Sequence, residues 1–263
     1  MRGIAAVQHG KAISLEHPVE TRPGHGKPDH KKVELDVKIG GGGRTVAGLD
    51  VVTIDAHGTG NTHMDSISHM GLDGKWHGGI PAESSYTDDD MLVAWAQHGV
   101  VTRGVLVDIP AVRGVPWVVR EEPVRGEEID AALAATGVTF EPGDALLIYM
   151  GRDRYEAAGN VYPTGLEAQK GRPGIGPSGS EWIADHDVSV ACWDFHDAKA
   201  EAGKALEVHM LIWAVGQCLV DNSSLGPLAE ILRNENRATG LLTVPPPAIY
   251  RSTGVLVNPT FVY

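Results

Sequence analysis

Only two cysteines and three phenylalanines occur in 263 residues, and aromatic side chains make up 6% of the chain. Two cysteines cannot staple a disulfide scaffold. Cys192 and Cys218 both lie in apolar surroundings, which predicts reduced core residues rather than a bridge, and a cytoplasmic setting. Basic residues are in deficit too: 22 lysines and arginines against 34 acids leave a net charge of -12. With no basic cluster to offset it, that charge argues against nucleic acid and anionic membrane as partners. No apolar run approaches membrane-spanning length, and the opening Met1-Arg-Gly-Ile-Ala-Ala-Val lacks a full signal-peptide core. Phosphate-binding and nicotinamide fingerprints are missing, since the glycine run Gly40 to Gly43 lacks their pattern. A G-x-S-x-G nucleophile elbow is missing as well.

What the chain does have is histidine, twelve in all. Four of them, His57, His63, His69 and His77, crowd into one stretch after the apolar segment Val51-Val-Thr-Ile54. Imidazole nitrogen with carboxylate oxygen suits zinc or manganese, and glycine lets backbone bend tightly around an ion. If His63-Met-Asp65 is extended, alternation points His63 and Asp65 to one side and Met64 to the other. A helical turn would then bring His69 back toward Asp65. These residues can build one metal site with a base beside it. The bland alternative is a Gly/Ser/Thr loop with exposed histidines.

At 42% hydrophobic the composition is globular, and no linker separates two autonomous cores, so one α/β domain spanning 1–263 is expected, irregular over 1–45. Val33 to Ile39 alternates apolar and charged residues, as an edge or half-buried strand does. Strands are expected at Val100 to Ile109, with the apolar run Gly104 to Ile109, and at Ala145 to Met150, Val188 to Cys192 and Gln217 to Val220. Helices are expected over 126–135, 201–215 and 225–233, with another capped by residues 87–90. Asp108 reads as support for the loop after its strand. Trp76 either packs on a planar substrate or fills a loop core. Arg152 and Arg154 either orient a substrate carbonyl or carboxylate or form ion pairs with Asp153 or Glu156. His209 interrupts an apolar helix, and Asp221 follows twelve positions later. Singly, each reads as packing residue and cap.

Together these segments resemble the metal-dependent cyclase-like hydrolase family that includes bacterial kynurenine formamidases and isatin hydrolases. The family pattern His-x-Gly-Thr-His-x-Asp-x-x-x-His is matched in its final part by Thr62-His63-Met-Asp65-Ser-Ile-Ser-His69. Asp73-Gly-Lys-Trp76-His77-Gly-Gly, Arg103-Gly-Val-Leu-Val-Asp108, Pro142-Gly-Asp-Ala-Leu-Leu-Ile148 and Gly254 to Pro259 resemble further family segments, in order, from about residue 45 to the end. The resemblance implies a swivelling β/β/α fold, a homo-dimer or homo-tetramer, and a small-molecule substrate. It maps His63, Asp65, His209 and Asp221 to metal ligands and His69 to the catalytic histidine, with Trp76, His77, Arg152 and Arg154 as candidate substrate contacts. Two departures stand out. Thr59 replaces the first motif histidine, so His57 would have to reach in from two residues upstream, and the site holds one or two ions accordingly. The late acid is Asp221 where formamidases carry Glu.

The chemistry so implied is hydrolysis of a small amide, formamide, cyclic amide or lactone. A zinc or manganese ion would lower the pKa of a water and polarise the carbonyl, while His69 moves the proton. Alternatives are a polyketide-type cyclase or lyase and a non-catalytic metal- or ligand-binding protein.

Overall fold

A computed structural model describes residues 2–21, 33–83, 91–198 and 207–263. The expected extended segment at 17–32 falls mostly outside these residues, as do the helix cap at 87–90 and positions 201–206 of the expected helix. A short helix α1 (Arg2–Ala5) and strand β1 (Ala12–Ser14) open the chain. Next come β2 (Val33–Gly40), β3 (Ala47–Ile54), β4 (His63–Asp65), α2 (Met91–His98) and β5 (Val100–Asp108). The middle holds α3 (Ile109–Arg113), α4 (Gly126–Thr136), β6 (Ala145–Tyr149), α5 (Arg152–Ala157) and α6 (Gly165–Gln169). Then follow β7 (Gly174–Ile175), α7 (Pro177–Asp185), β8 (Val190–Trp193), β9 (His196–Asp197) and α8 (Met210–Val215). The chain closes with β10 (Cys218–Asp221), α9 (Gly226–Asn234), β11 (Thr239–Val244), β12 (Gly254–Leu256) and β13 (Thr260–Val262).

Nine strands make one sheet in the order β1-β13-β11-β5-β6-β8-β10-β4-β12. Its centre, β5-β6-β8-β10, is parallel, and antiparallel strands flank it on both sides. Two-residue alternation divides the central side chains between two cores. Val105, Val107, Leu146, Ile148, Ala191, Trp193 and Leu219 face one core with Ile129, Leu133, Trp182 and Ile183 of α4 and α7. Leu106, Leu147, Tyr149, Cys192, Cys218 and Val220 face the other with Leu228 and Leu232 of α9. Helices on both faces of a parallel centre explain why these strands read as continuous apolar runs.

Asp108 supports its loop as expected: its Oδ1 accepts from Ala111 N at 3.0 Å, capping α3, and Arg233 pairs with its other oxygen. β2 is an edge strand, as expected, but of a two-stranded ribbon rather than of the large sheet, and it is not half-buried. Among the described residues it pairs with β3 alone, exposed along nearly its whole length. Of the expected helix over 201–215, α8 is the part described as helical, and His209 stands at its first turn rather than interrupting it.

Candidate metal centre

The carboxyl ends of β6, β8 and β10 point the same way, and ligands of open α/β sheets collect at that edge. β4 runs antiparallel to β10 with His63 directly opposite Asp221, so a residue from each strand faces its partner. Strand alternation turns His63 and Asp65 to one side, while Met64 packs into the core on the other. His63 Nε2 then lies 3.6 Å from Asp65 Oδ1 and 3.8 Å from Asp221 Oδ2. A turn closed by His69 N donating to Ser66 O at 2.9 Å returns His69 Nε2 to 3.8 Å from Asp65 Oδ2.

His57 comes in over Gly254, the residue opposite Asp65 on β12. A Cβ at Gly254 would stand 2.5 Å from His57 Cε1, so only glycine leaves the ring its place. His57 Nδ1 reaches 3.2 Å from Asp65 Oδ1, its Nε2 is 3.0 Å from the Thr253 hydroxyl, and its ring stacks on His69 at 4.1 Å. Thr59, where the motif has histidine, gives its carbonyl to Arg152 Nη2 at 2.5 Å. The loop upstream of β4 thus brings a histidine from two positions earlier.

His209 enters from the start of α8. Its Nδ1 hydrogen-bonds the Asp197 carboxylate, turning Nε2 toward Asp221 Oδ2 at 3.2 Å and Asp65 Oδ2 at 3.8 Å. An outer carboxylate holding a histidine in this way fixes the ring nitrogen offered to a metal. The same logic applies to His63, whose Nδ1–H donates to Asn61 O at 2.9 Å. Asp221 is held by the Trp193 indole N–H on Oδ1. His196 is also here, with Nδ1 3.3 Å from Asp221 Oδ2.

Three overlapping groups have ligand atoms within 4.8 Å of one another: His57, His63 and Asp65; Asp65, His69 and His209; and His196, His209 and Asp221. The side chains of Asp65 and Asp221 are shut off from solvent, yet among the described residues neither Asp65 oxygen accepts a hydrogen bond. An uncompensated buried carboxylate costs several kcal/mol, and a divalent cation among the facing imidazoles removes that cost. The donor set fits such an ion.

Burial pushes His69 down to about 4 against the pull of Asp65, and His196 to about 3 against that of Asp221. Burial opposes charge on His209 as well, but Asp197 and then Asp221 outweigh it and lift its pKa well above the ordinary value. Asp221 goes the other way: burial would raise it, but His209 and His196 hold it well below the usual carboxylate range. His57 and His69 are the cluster's water-facing rings, each 24% exposed, while His63, His196 and His209 are buried. Beside His57 opens a cleft of about 520 Å³ lined by Thr53 to His57, Thr253 and Gly254. A 450 Å³ hollow between α3, α4 and α9 contains neither histidine nor any of these acids.

The remaining candidates are engaged in contacts of their own. Arg152 is buried as a brace: Nη1 donates to Asp194 O and Asn222 Oδ1, Nε to Glu156, and the guanidinium lies over Tyr162. The Arg154 guanidinium stands 6.0 Å from the Tyr149 ring centre. Trp76 is half-buried against Gly71, and His77 Nδ1 donates to Trp213 O at 2.8 Å, fastening its turn to α8.

Residues 13–200, more than half of the chain, match the family model described as "Putative cyclase". The chain belongs to the cyclase family. No curated protein matches it. Among solved structures, a novel cyclase is 22% identical with a TM-score of 0.82, covering 100% of this chain and 91% of that one. An isatin hydrolase bound to the product analogue thioisatinate is 17% identical, TM-score 0.63, covering 96% and 92%. Isatin hydrolase A from Ralstonia solanacearum is 13% identical, TM-score 0.62, covering 95% and 91%. The chain has the single-domain swivelling β/β/α fold these proteins share.

Proposed function

We propose that this cyclase-family chain is a metal-dependent hydrolase of a small amide, formamide, cyclic amide or lactone. The observation that carries the reading is the Asp65 carboxylate, buried, hydrogen-bonded to nothing among the described residues, and faced by His57, His63, His69 and His209. His63, Asp65, His209, Asp221 and His57 would hold zinc or manganese, which supplies Lewis-acid polarisation of a carbonyl and a lowered water pKa. A structural neighbour from Bacillus stearothermophilus is described as a predicted metal-dependent hydrolase, which supports the same class.

His69 is the group to move the proton. Its imidazole is neutral at pH 7, it borders water, and its Nε2 points into the cluster. A neutral ring takes the proton of an attacking water at Nε2 and returns it to the leaving nitrogen or oxygen. The cleft opens beside His57, whose ring stacks on that of His69 at 4.1 Å. Trp76, His77 and Arg154 are the proposed substrate contacts although none of them lines the cleft beside His57, and Arg152 braces the surrounding loops. The two cysteines are free and buried, which supports a cytoplasmic setting. Among the described residues no helix is long and apolar enough to cross a membrane.

A cyclase or lyase reading has its own support, since one neighbour is described as a potential metal-dependent hydrolase with cyclase activity. One set of measurements separates the two. Asp65→Asn loses metal and turnover together, whereas His69→Ala keeps its metal and loses about 10²–10⁴ in kcat on a panel of amides and lactones. Label from H₂¹⁸O enters the product only if the reaction is hydrolysis. Full metal in Asp65→Asn rejects the ligand set, and full turnover in His69→Ala rejects the proton role.

A further inference from the structure

The ligands assigned so far leave one buried histidine of the cluster unused. His196 follows β8 and is 7% exposed at its side chain. Its Nε2 lies 2.8 Å from Asn222 Oδ1. Which nitrogen carries the proton is decided by Asn222. The Asn222 amide nitrogen donates to Gly58 O at 2.6 Å and Asn61 O at 3.0 Å, while its Oδ1 accepts from Arg152 Nη1 at 2.8 Å. Flipping the amide would set its oxygen against two carbonyls and its NH₂ against a guanidinium. The oxygen therefore faces His196, and Nε2 must be the N–H. In the neutral ring the lone pair then sits on Nδ1, 3.3 Å from Asp221 Oδ2. A lone pair and a carboxylate oxygen repel each other unless a cation lies between them.

His209 brings a second nitrogen to the same oxygen, where an ion would take the place of the ring proton. Its Nδ1 is engaged by Asp197, and Nε2 faces the same Asp221 oxygen at 3.2 Å. Two ligands on a tetrahedral zinc with bonds of about 2.0–2.1 Å stand about 3.3 Å apart, and both nitrogens meet that distance to Oδ2.

We propose that His196 is a cation ligand, its Nδ1 forming a three-donor site with His209 Nε2 and Asp221 Oδ2. The site takes a first-row divalent ion that favours imidazole, zinc before magnesium or calcium. This inference rests on the metal-dependent reading above and adds to it a residue from a different strand end. Arg152 and Asn222 become positioning residues, since they set the His196 tautomer through its outer nitrogen.

The test is zinc binding by the full chain, stripped with chelator and titrated with Zn²⁺ alone. His196→Gln keeps a side-chain N–H for Asn222 and removes the Nδ1 donor. Expected is at least a tenfold weaker zinc affinity, with the unfolding temperature of the metal-free variant matching that of the metal-free wild type. Equal zinc affinity in variant and wild type overturns the role of His196 while leaving the metal reading intact. Wild type that takes up no zinc, manganese or cobalt overturns the metal reading and this site with it. A measurement on unmutated protein covers the case in which the variant does not fold. In the ¹¹³Cd-loaded chain with ¹⁵N-labelled histidine, His196 Nδ1 is expected to couple to cadmium while Nε2 keeps its proton. Coupling at His209 without coupling at His196, or a His196 ring protonated on both nitrogens, overturns the proposal.

Discussion

At the scale of single residues, the centre is organised by what lies behind each candidate ligand. Asp197 holds His209, Asn61 O holds His63, and the Trp193 indole holds Asp221 Oδ1. Removing such a partner costs about 10–100-fold in metal affinity, so Asp197→Asn is expected to weaken zinc binding by that factor in an isothermal titration. Asp65 makes a second, opposite prediction. Among the described residues its oxygens accept no hydrogen bond, so an ionised carboxylate here would be desolvated without donors to offset the loss. Asp65→Asn removes that charge, and the metal-free variant should melt about 2–6 °C above the metal-free wild type by calorimetry. A lower melting point would show that the carboxylate is compensated without a metal.

At the scale of elements, the site depends on strand ends staying in place. Asp194 ties two of them together: its carboxylate accepts from the amides of Met150, Gly151, Arg152 and Phe195, pinning the turn after β6 to the end of β8. Further out, α3 and α4 are joined by Arg113, whose Nε and Nη2 donate to Glu128 at 2.6 and 2.8 Å. Burial opposes ionisation of Glu128, but Arg113 and the Arg125 amide outweigh it and hold its carboxyl below the ordinary glutamate value. A lowered folded-state pKa contributes stability above the unfolded value, and that stability is lost as pH falls through the folded one. Glu128→Gln should therefore destabilise the chain at pH 7, and the difference from wild type should shrink below about pH 4 as Glu128 itself protonates. Urea melts at several pH values check both limbs.

At the scale of the whole molecule, the β2–β3 ribbon is the exposed apolar element. Leu35 pairs with Val52 and Val33 with Ile54, and alternation puts Val37 and Ile39 on that same face. Ile39 is 71% exposed, and Leu49 on the other face 72%. A two-stranded ribbon is marginally stable alone, and an apolar face requires a cover. We propose that a second copy of this chain provides it, in the homo-dimer or homo-tetramer that the family resemblance implies. The double variant Leu35→Glu/Val52→Glu should shift mass photometry toward monomer. Wild type that is monomeric at working concentration rejects the assembly.

Much of this was legible in the residue order, because period-two alternation and apolar runs are local properties. The central strands at 100–109, 145–150 and 188–192 lie within a residue or two of those observed. The pairing of His63 with Asp65 on one side of an extended segment needed only strand geometry. His69 needed only the turn that follows. His196 and Asp197 were missed, although a histidine and an acid just beyond the buried run Val190–Trp193 are a visible signal for a strand end. The exposure of β2 was missed because alternation shows that a strand has an apolar face, not what covers it. The sequence by itself therefore determined the candidate donors His57, His63, Asp65, His209 and Asp221, most of the central strands and the family resemblance. Only the tertiary structure decided that His57 reaches Asp65 over Gly254, that Asp197 stands behind His209, and which nitrogen of His196 faces Asp221. Those facts depend on contacts between residues as far apart in the chain as Asp197 and His209, His196 and Asp221, or His57 and Gly254, and only the closed sheet sets such distances.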